Sequence, residues 1–308
     1  MEDQKGYIVA EGAGIMAIHE LNYLRKTYNA VTQVIVKTKQ RLGSLPGEKR
    51  EEKFDSFLKG EKNMEGLETV KGRITRQIEK AIKVWDIWEL WLEKIPGIGP
   101  YIGAELIIHF YYRFIPICKK CGGDLEKVNA ENSNGFFRKM KFICSVCGKP
   151  AKGDGTLIFR IEDKDFPTIS KWWAYMGRHT VDGVMPKRKA GIKSNWGTPQ
   201  RTLGFHIGEE FNKQDNDHPY KKFLIERKQK HEGNHSDPKK GEAKDPSNWS
   251  KDHRHNAAKN EAVKLFLSHF WVVARILQGK PLSEPYAGAI MGHKDIIKPF
   301  YWTEPKMD

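Results

Sequence analysis

The chain has 308 residues and carries 53 Lys and Arg against 39 Asp and Glu, a formal net charge of +14. This length predicts more than one structural unit, and this charge favours nucleic acid as a partner over the alternative of a basic protein with no nucleic-acid role. Because no apolar run approaches the roughly 20 residues that cross a membrane, and the N-terminus lacks a signal-peptide pattern, we expect a cytoplasmic protein without a membrane partner.

Two apolar stripes at helical spacing come first in the chain. One runs over residues 15–42 and the other over residues 67–92, on either side of the polar stretch GSLPGEKREEKFDSFLKGEKN. The pattern predicts an antiparallel helical hairpin in residues 1–94. We expect the apolar surface left over, including Ile74 and Ile78, to pack on a second copy as a coiled coil, giving a homodimer. Packing on the chain's own C-terminal half is the alternative.

A Pro- and Gly-rich turn follows the hairpin in the stretch EKIPGIGPYIGAELIIHF, residues 93–110. Pro96, Gly97, Gly99 and Pro100 stop one helix and start the next. A turn of this kind can place the N–H groups of a helix N-terminus against phosphate, which would make it a non-specific nucleic-acid grip. It can equally be a plain corner between two helices, and both interpretations remain open.

The segment 115–160 contains two CxxC pairs in a strand-like, Gly- and Lys-rich context. All four cysteines of the chain fall in these pairs, which in a reducing compartment indicates metal binding and argues against disulfides. A glycine follows each pair, as in the knuckles of a zinc ribbon, and four thiolates would leave no open position on the ion. We therefore predict one structural zinc, bound by Cys118, Cys121, Cys144 and Cys147.

A basic loop follows the ribbon and the stretch FPTISKWWAYMGRH, in which Trp172, Trp173 and Tyr175 are predicted to be helix core. Between residues 187 and 201, Lys and Arg alternate with Gly, Asn and Trp. Cations that neutralise phosphates, an aromatic ring that can stack on a base and an amide that can bind a base edge therefore occur together. The predicted RNA-binding residues are Arg178, Lys187, Arg188, Lys189, Lys193, Asn195, Trp196 and Arg201.

The C-terminal third begins with a polar stretch, residues 215–251, in which we predict an exposed loop insertion. A well-buried helix is predicted from about His253 onwards. Asp252, His253 and His255 in DHRHN faintly resemble an HNH nuclease motif, but the pattern is incomplete. No carboxylate pair, P-loop or dinucleotide fingerprint indicates catalysis, so we expect no enzyme activity.

The order of these motifs resembles a known family. IPGIGPYIGAELI, then FPTISKWWAYMGRH, then a Gly- and Lys-rich loop leading into a helix resemble the Nop domain of box C/D ribonucleoprotein scaffolds, preceded by a coiled coil. They are also similar to the C-terminal part of bridge-RNA-guided serine transposases. The chain most resembles the Tas proteins of TIGR-Tas systems, in which a Nop domain holds a guide RNA and the complex pairs with DNA.

This resemblance implies a mainly α fold: a coiled-coil hairpin over 1–94, a Nop-like domain over 95–114 and 161–308, and a β-rich zinc ribbon inserted at 115–160. Asp182 lies near the position where the transposases have their serine nucleophile, and no nuclease domain is visible. The resemblance therefore implies a guide-RNA scaffold that recognises DNA without cleaving it. The alternatives are a bridge-RNA-type transposase or recombinase, and a non-specific DNA-binding protein with a helix-hairpin-helix turn.

Overall fold

A computed structural model of the chain is mainly helical, as predicted, and contains two compact units. The first unit is Met1–Leu106 with Phe166–Asp308 and the second is Ile107–Asp165. The first unit therefore includes the predicted hairpin, and the second includes the predicted ribbon. The structure describes residues 14–61, 64–129, 140–151, 158–181, 185–188, 194, 196–237, 247–283 and 297–303.

The N-terminal hairpin consists of helix α1, Ile15–Leu42, and helix α3, Leu67–Ile82. The start of α3 lies beside the second half of α1, where Lys39 pairs with Glu68 (2.8 Å), so the two helices run antiparallel. Ile74 and Ile78 of α3 are buried within the single chain. Their expected place at an interface with a second copy is therefore wrong.

The connection between these helices has more structure than its composition predicts. It contains helix α2, Gly47–Phe54, a wider helical turn, Asp55–Lys59, and a minimal hairpin of strands β1, Gly60–Glu61, and β2, Met64–Glu65. Leu58 is fully buried against Ile35 and Leu42 of α1. The polar connection thus supplies an apolar cap for that end of the hairpin.

The second predicted helix ends earlier than expected. The chain turns at Lys83, forms the short helix α4, Asp86–Leu90, and continues through a tight helical turn, Leu92–Lys94. A continuous helix to Leu92 is therefore a wrong prediction. Trp85 and Trp88, which continue the apolar stripe in the sequence, are still buried as the stripe predicts.

The core of the first unit is built around one long helix and its aromatic neighbours. Helix α9, Lys251–Leu277, packs against α4, α6, α7 and α8. The indole of Trp271 donates to the carbonyl of Phe166 (2.6 Å), and that of Trp91 donates to Phe300 (2.7 Å). Trp172 is fully buried, which confirms its predicted core position. The other helices are α5, Pro100–Tyr111; α6, Ile169–Tyr175; α7, Thr198–Lys213; and α8, Pro219–Asn234.

Helix α8 corrects the prediction of an exposed polar loop over residues 215–251. Its Pro lies in the first turn, where a missing N–H costs nothing. Tyr220 and Leu224 are the buried residues of this otherwise polar helix, and the Tyr220 ring stacks on Phe211 with centroids 4.5 Å apart. These two side chains anchor α8, and polar contacts of Arg227 and His231 with Glu261 of α9 add to its docking.

The Ile107–Asp165 unit contains two small sheets. Strands β3, Tyr112–Ile117, and β7, Ile158–Asp163, pair antiparallel from Tyr112 opposite Asp163 to Ile117 opposite Ile158. A three-stranded antiparallel sheet lies between them in the chain, in the order β4, Leu125–Asn129; β5, Met140–Cys144; and β6, Pro150–Ala151. The cysteine pairs lie at the ends of these strands.

Candidate functional site

The two CxxC pairs form matched turns. The amide of Gly122 donates to the carbonyl of Cys118 (2.8 Å), and the amide of Gly148 donates to the carbonyl of Cys144 (3.0 Å). Both glycines have positive φ, +72° and +66°, a conformation that residues with a Cβ rarely adopt. The sequence therefore builds the same tight turn twice, as its spacing predicts.

These turns bring the four sulfur atoms together. The Sγ atoms of Cys118 and Cys147 are 3.8 Å apart, those of Cys121 and Cys144 are 3.4 Å apart, and all four lie within 4.8 Å of one another. A tetrahedral site with metal–sulfur bonds of about 2.3 Å has sulfur–sulfur edges of about 3.8 Å. The cluster therefore has the donors and the spacing to hold one metal ion.

Backbone amides favour the metal-binding form of two of these cysteines. The amide of Cys147 is the largest cause that lowers the pKa of Cys144 to about 6. The amides of Cys121 and Lys120 lower the pKa of Cys118. Thiolate, not thiol, is the metal ligand, so these amides prepare the cluster for a cation.

A cleft of about 500 Å³, here called the basic cleft, lies in the first unit between the segment after α6, the start of α7 and one face of α9. Among the described residues only Lys259, of the four cations that line it, pairs with a carboxylate, that of Glu209. The cleft is therefore strongly positive. Its four cationic residues are Arg178, Arg188, Arg201 and Lys259.

Arg178 is, with Lys259, one of the two buried cations of the cleft. It is 8% exposed, and its guanidinium donates to Asn260 Oδ1 (3.0 Å) and to the carbonyl of Arg201 (2.8 Å). Its Nε is buried and has no hydrogen-bond partner among the described residues. Burial and the neighbouring Arg201 lower the pKa of Arg178 to about 10, so it stays charged at neutral pH. Because both hydrogen-bond partners of this buried cation are neutral, an anion that enters the cleft stabilises its charge.

Trp196 is held between two arginines. The guanidinium carbons of Arg188 and Arg201 lie 4.9 Å and 4.5 Å from its ring centroid, and the indole is 8% exposed. The backbone of Gly177 packs against the same ring. The indole is therefore not open to a base in this structure, and the prediction that Trp196 stacks on RNA is at odds with this burial. Its contacts instead orient the two arginines.

The structure brings together four of the eight predicted RNA-binding residues, Arg178, Arg188, Trp196 and Arg201, at the basic cleft. Lys187 is exposed and does not line it. The remaining three, Lys189, Lys193 and Asn195, lie outside the described residues.

Other residues of the cleft were missed by sequence reasoning. They are Phe205 on α7 and Asn256, Lys259 and Asn260 on α9. A signal for this surface exists in RTLGFHIGEEF, where two glycines lie four residues apart on one face of α7. A Cβ at Gly204 would lie 2.5 Å from Arg178 Nε, and one at Gly208 would lie 2.8 Å from Lys259 Cγ. The glycines thus permit the close packing that places these cations.

A second cleft of about 730 Å³, here called the hairpin cleft, is lined by α1, α3 and the first turns of α5 and α7. Arg25 and Asn29 donate to Glu105 (2.9 Å and 3.1 Å), and Tyr101 donates to Asn29 (2.7 Å). This partly buried network joins α5 to α1. Lys71 projects over the ring of Tyr28 at 4.9 Å.

The IPGIGP turn contributes Gly97, Gly99 and Pro100 to the hairpin cleft. Thr198 and Thr202 line both clefts, so the two adjoin across the first turn of α7. The predicted turn therefore presents a helix N-terminus to a cleft beside the basic cleft. That this helix end contacts phosphate stays a prediction.

The HNH-like stretch at the start of α9 forms an aromatic stack. The His253 ring lies on Trp249 with centroids 4.3 Å apart, and Trp249 stacks on His235 at 3.7 Å. Within the described ranges, the four cysteines are the only group of three or more His, Cys, Asp or Glu side chains close enough to share a metal ion.

No helix in the described part of the chain is long and apolar enough to span a bilayer. Comparisons of the chain with protein-family models, with curated proteins and with solved structures return no match. Functional arguments therefore depend on the geometry of the two clefts and the cysteine cluster.

Proposed function

We propose that the chain is a non-enzymatic RNA-binding scaffold that holds a box C/D-like guide RNA and directs it to DNA. The observation that carries the proposal is the basic cleft, where four cations face one carboxylate and Arg178 is buried without any. Polyanions satisfy such a surface, and phosphate matches the fork of an arginine.

The guide-RNA part of the proposal is supported by the resemblance to Tas proteins. In such complexes base pairing supplies sequence specificity, and the protein recognises backbone and shape. The adjoining clefts suit this task because together they offer cations and a helix N-terminus along one continuous surface. The Cys118, Cys121, Cys144 and Cys147 cluster, in this proposal, holds one structural zinc.

The first experiment recovers the RNA. The chain is purified from cells that carry its own gene with the flanking DNA, and the RNA that co-purifies is sequenced. A discrete RNA with paired box C/D-like elements supports the proposal, and matched DNA is then expected to bind the complex more tightly than mismatched DNA. Heterogeneous fragments alone would overturn the guide function and favour the non-specific alternative.

The salt dependence of RNA binding tests the basic cleft. Arg188 is exposed at the cleft and has no carboxylate partner among the described residues. If it neutralises one phosphate, Arg188→Ala is expected to flatten the plot of log affinity against log salt by about 0.7–0.9. Lys230→Ala on α8 removes an exposed charge that lines neither cleft, and its slope should equal that of the wild type. Equal slopes for both variants would exclude the cleft as the phosphate site.

Catalysis is tested on the same complex. Incubation with matched DNA and Mg²⁺ is expected to leave both strands intact. Cleavage or strand exchange that disappears in Asp182→Ala would overturn the scaffold proposal in favour of the transposase alternative.

The homodimer is also part of the proposal, through a surface different from the one expected. Met16, Tyr23 and Val34 of α1 are 80%, 66% and 48% exposed. Their separations of seven and eleven residues are close to two and three helical turns, so they lie on one face. An exposed apolar stripe on a 28-residue helix suits pairing with the same stripe of a second copy.

Charge on this stripe tests the dimer. The double variant Met16→Glu, Tyr23→Glu is expected to halve the mass measured by light scattering, because burying unpaired carboxylates in an apolar interface costs several kcal/mol. Phe57→Glu is the control, since Phe57 is an exposed apolar residue outside the stripe. A wild type that is monomeric at micromolar concentration, or a double variant that remains dimeric, would contradict this interface.

A further inference from the structure

We infer that the basic cleft receives a single unpaired nucleotide, with its base on Phe205 and its phosphate against the arginines. The inference deepens the proposed function, on which it rests for the source of the nucleotide. It assigns the recognition of the base to residues of α7 and α9 that the sequence did not indicate.

Phe205 is the aromatic ring that a base can reach. It is 50% exposed, whereas Trp196 is 8% exposed and has Arg188 and Arg201 against its ring. Lys259 Nζ lies 5.1 Å from the Phe205 centroid, so the ring packs over a cation and still keeps half its surface open. Stacking on such a ring tolerates any base, because every base has a flat π face.

The amides of Asn256 and Asn260 supply hydrogen-bonding groups beside that ring. Asn256 is exposed and its side chain has no partner among the described residues. Asn260 accepts from Arg178 through Oδ1, which leaves its amide hydrogens to donate. The two residues are one helical turn apart on α9. Side-chain amides offer the donor and acceptor pattern that matches the edge of an unpaired base.

The charges and the size of the cleft define the rest of the ligand. Arg188 is exposed at the cleft, and the buried Nε of Arg178 has no partner. A volume of about 500 Å³ accommodates one nucleotide and is too small for a duplex. The ligand chemistry is therefore a nucleobase linked to a phosphate, and its source is either an unpaired position in an RNA strand or a free nucleotide. We assign it to the strand, since the adjoining hairpin cleft extends the surface beyond one nucleotide.

Two probes distinguish these sources: a single-stranded oligoribonucleotide that carries one 2-aminopurine, and free adenosine monophosphate. Phe205→Ala is expected to weaken oligonucleotide binding about 5- to 150-fold, which corresponds to about 1–3 kcal/mol. It should also abolish the change in 2-aminopurine fluorescence. Phe205→Trp should restore both. Phe57→Ala is the matched control, since Phe57 is 51% exposed against 50% for Phe205 and lies outside both clefts.

Asn256→Ala is expected to reduce discrimination between oligonucleotides that differ only at the labelled position. Free adenosine monophosphate should bind far more weakly than the oligonucleotide. If it binds equally well and Phe205→Ala weakens both, the strand assignment is overturned. If Phe205→Ala changes neither, the nucleotide pocket is overturned, while the proposed function stands as long as Arg188→Ala still flattens the salt slope. A wild type that does not bind the oligonucleotide would overturn the nucleotide pocket, whereas the proposed function is overturned only if no discrete guide RNA co-purifies.

Discussion

Cys144→Ser is expected to unfold the Ile107–Asp165 unit and to remove about one bound metal ion per chain. Cys144 is buried, ends strand β5, and accepts the amide of Cys147 at its sulfur (3.5 Å). The unit has two small sheets and few other means of support. Binding of zinc to small modules of this kind contributes roughly 10–16 kcal/mol, most of which becomes folding free energy.

The measurement is amide hydrogen exchange along the chain, together with metal analysis. Amides of β4 and β5 should lose protection, while those of α9, in the other compact unit, should keep it. A strong chelator should have the same effect on the wild type. Lys119→Ser changes an exposed residue of the other CxxC turn, Cys118–Cys121, and should retain both metal and protection. Full protection in Cys144→Ser, with metal absent from the wild type, would show that the cluster is not a metal site.

Features determined by local sequence were predictable. The bounds of α1, Ile15–Leu42, agree with those of the apolar stripe. An amphipathic helix of 28 residues repeats its apolar pattern several times, so its own sequence is enough to indicate it. The CxxC turns were predictable for the same reason, since their geometry depends on residues five positions apart at most. The fold class, mainly helical with a cysteine module, follows from these two signals.

Features determined by distant contacts were not predictable. Helix α8 is polar along most of its length, and it is held by the burial of Tyr220 and Leu224 and by contacts of Arg227 and His231 with Glu261 of α9. The apolar period does not show the break after Ile82. Trp85 and Trp88 are buried in the structure, and a continuous helix would also predict them to be buried. Periodicity shows which residues are buried, but not what they are buried against.

The basic cleft illustrates both cases. The excess of Lys and Arg between residues 178 and 201 indicated a cationic surface, and charge is a property that composition records. Which aromatic ring is open depends on packing. Trp196 lies among cations in sequence and is enclosed by them in space, whereas Phe205 is exposed beside Lys259, a residue more than 50 positions later in the chain.

Trp196→Ala is expected to destabilise the first unit, which separates its role from that of Phe205. The indole is 8% exposed and packs against both Arg188 and Arg201. Truncating a buried Trp costs about 3–5 kcal/mol, and losing two cation–π contacts adds about 0.5–1 kcal/mol each. In a unit of this size the melting temperature should therefore fall by roughly 8–28 °C.

Affinity for RNA should fall less steeply and for an indirect reason, because Arg188 and Arg201 lose the ring that orients them. Trp196→Phe keeps a flat ring between the guanidinium groups and should recover most of the melting temperature. Phe205→Ala is the opposite case, with a nearly unchanged melting temperature and a large loss of affinity. Thermal unfolding and RNA titration of the same three variants measure both quantities. A Trp196→Ala protein that melts like the wild type but no longer binds RNA would show that the indole contacts RNA directly. It would also show that Arg188 and Arg201 move away from the indole when RNA binds.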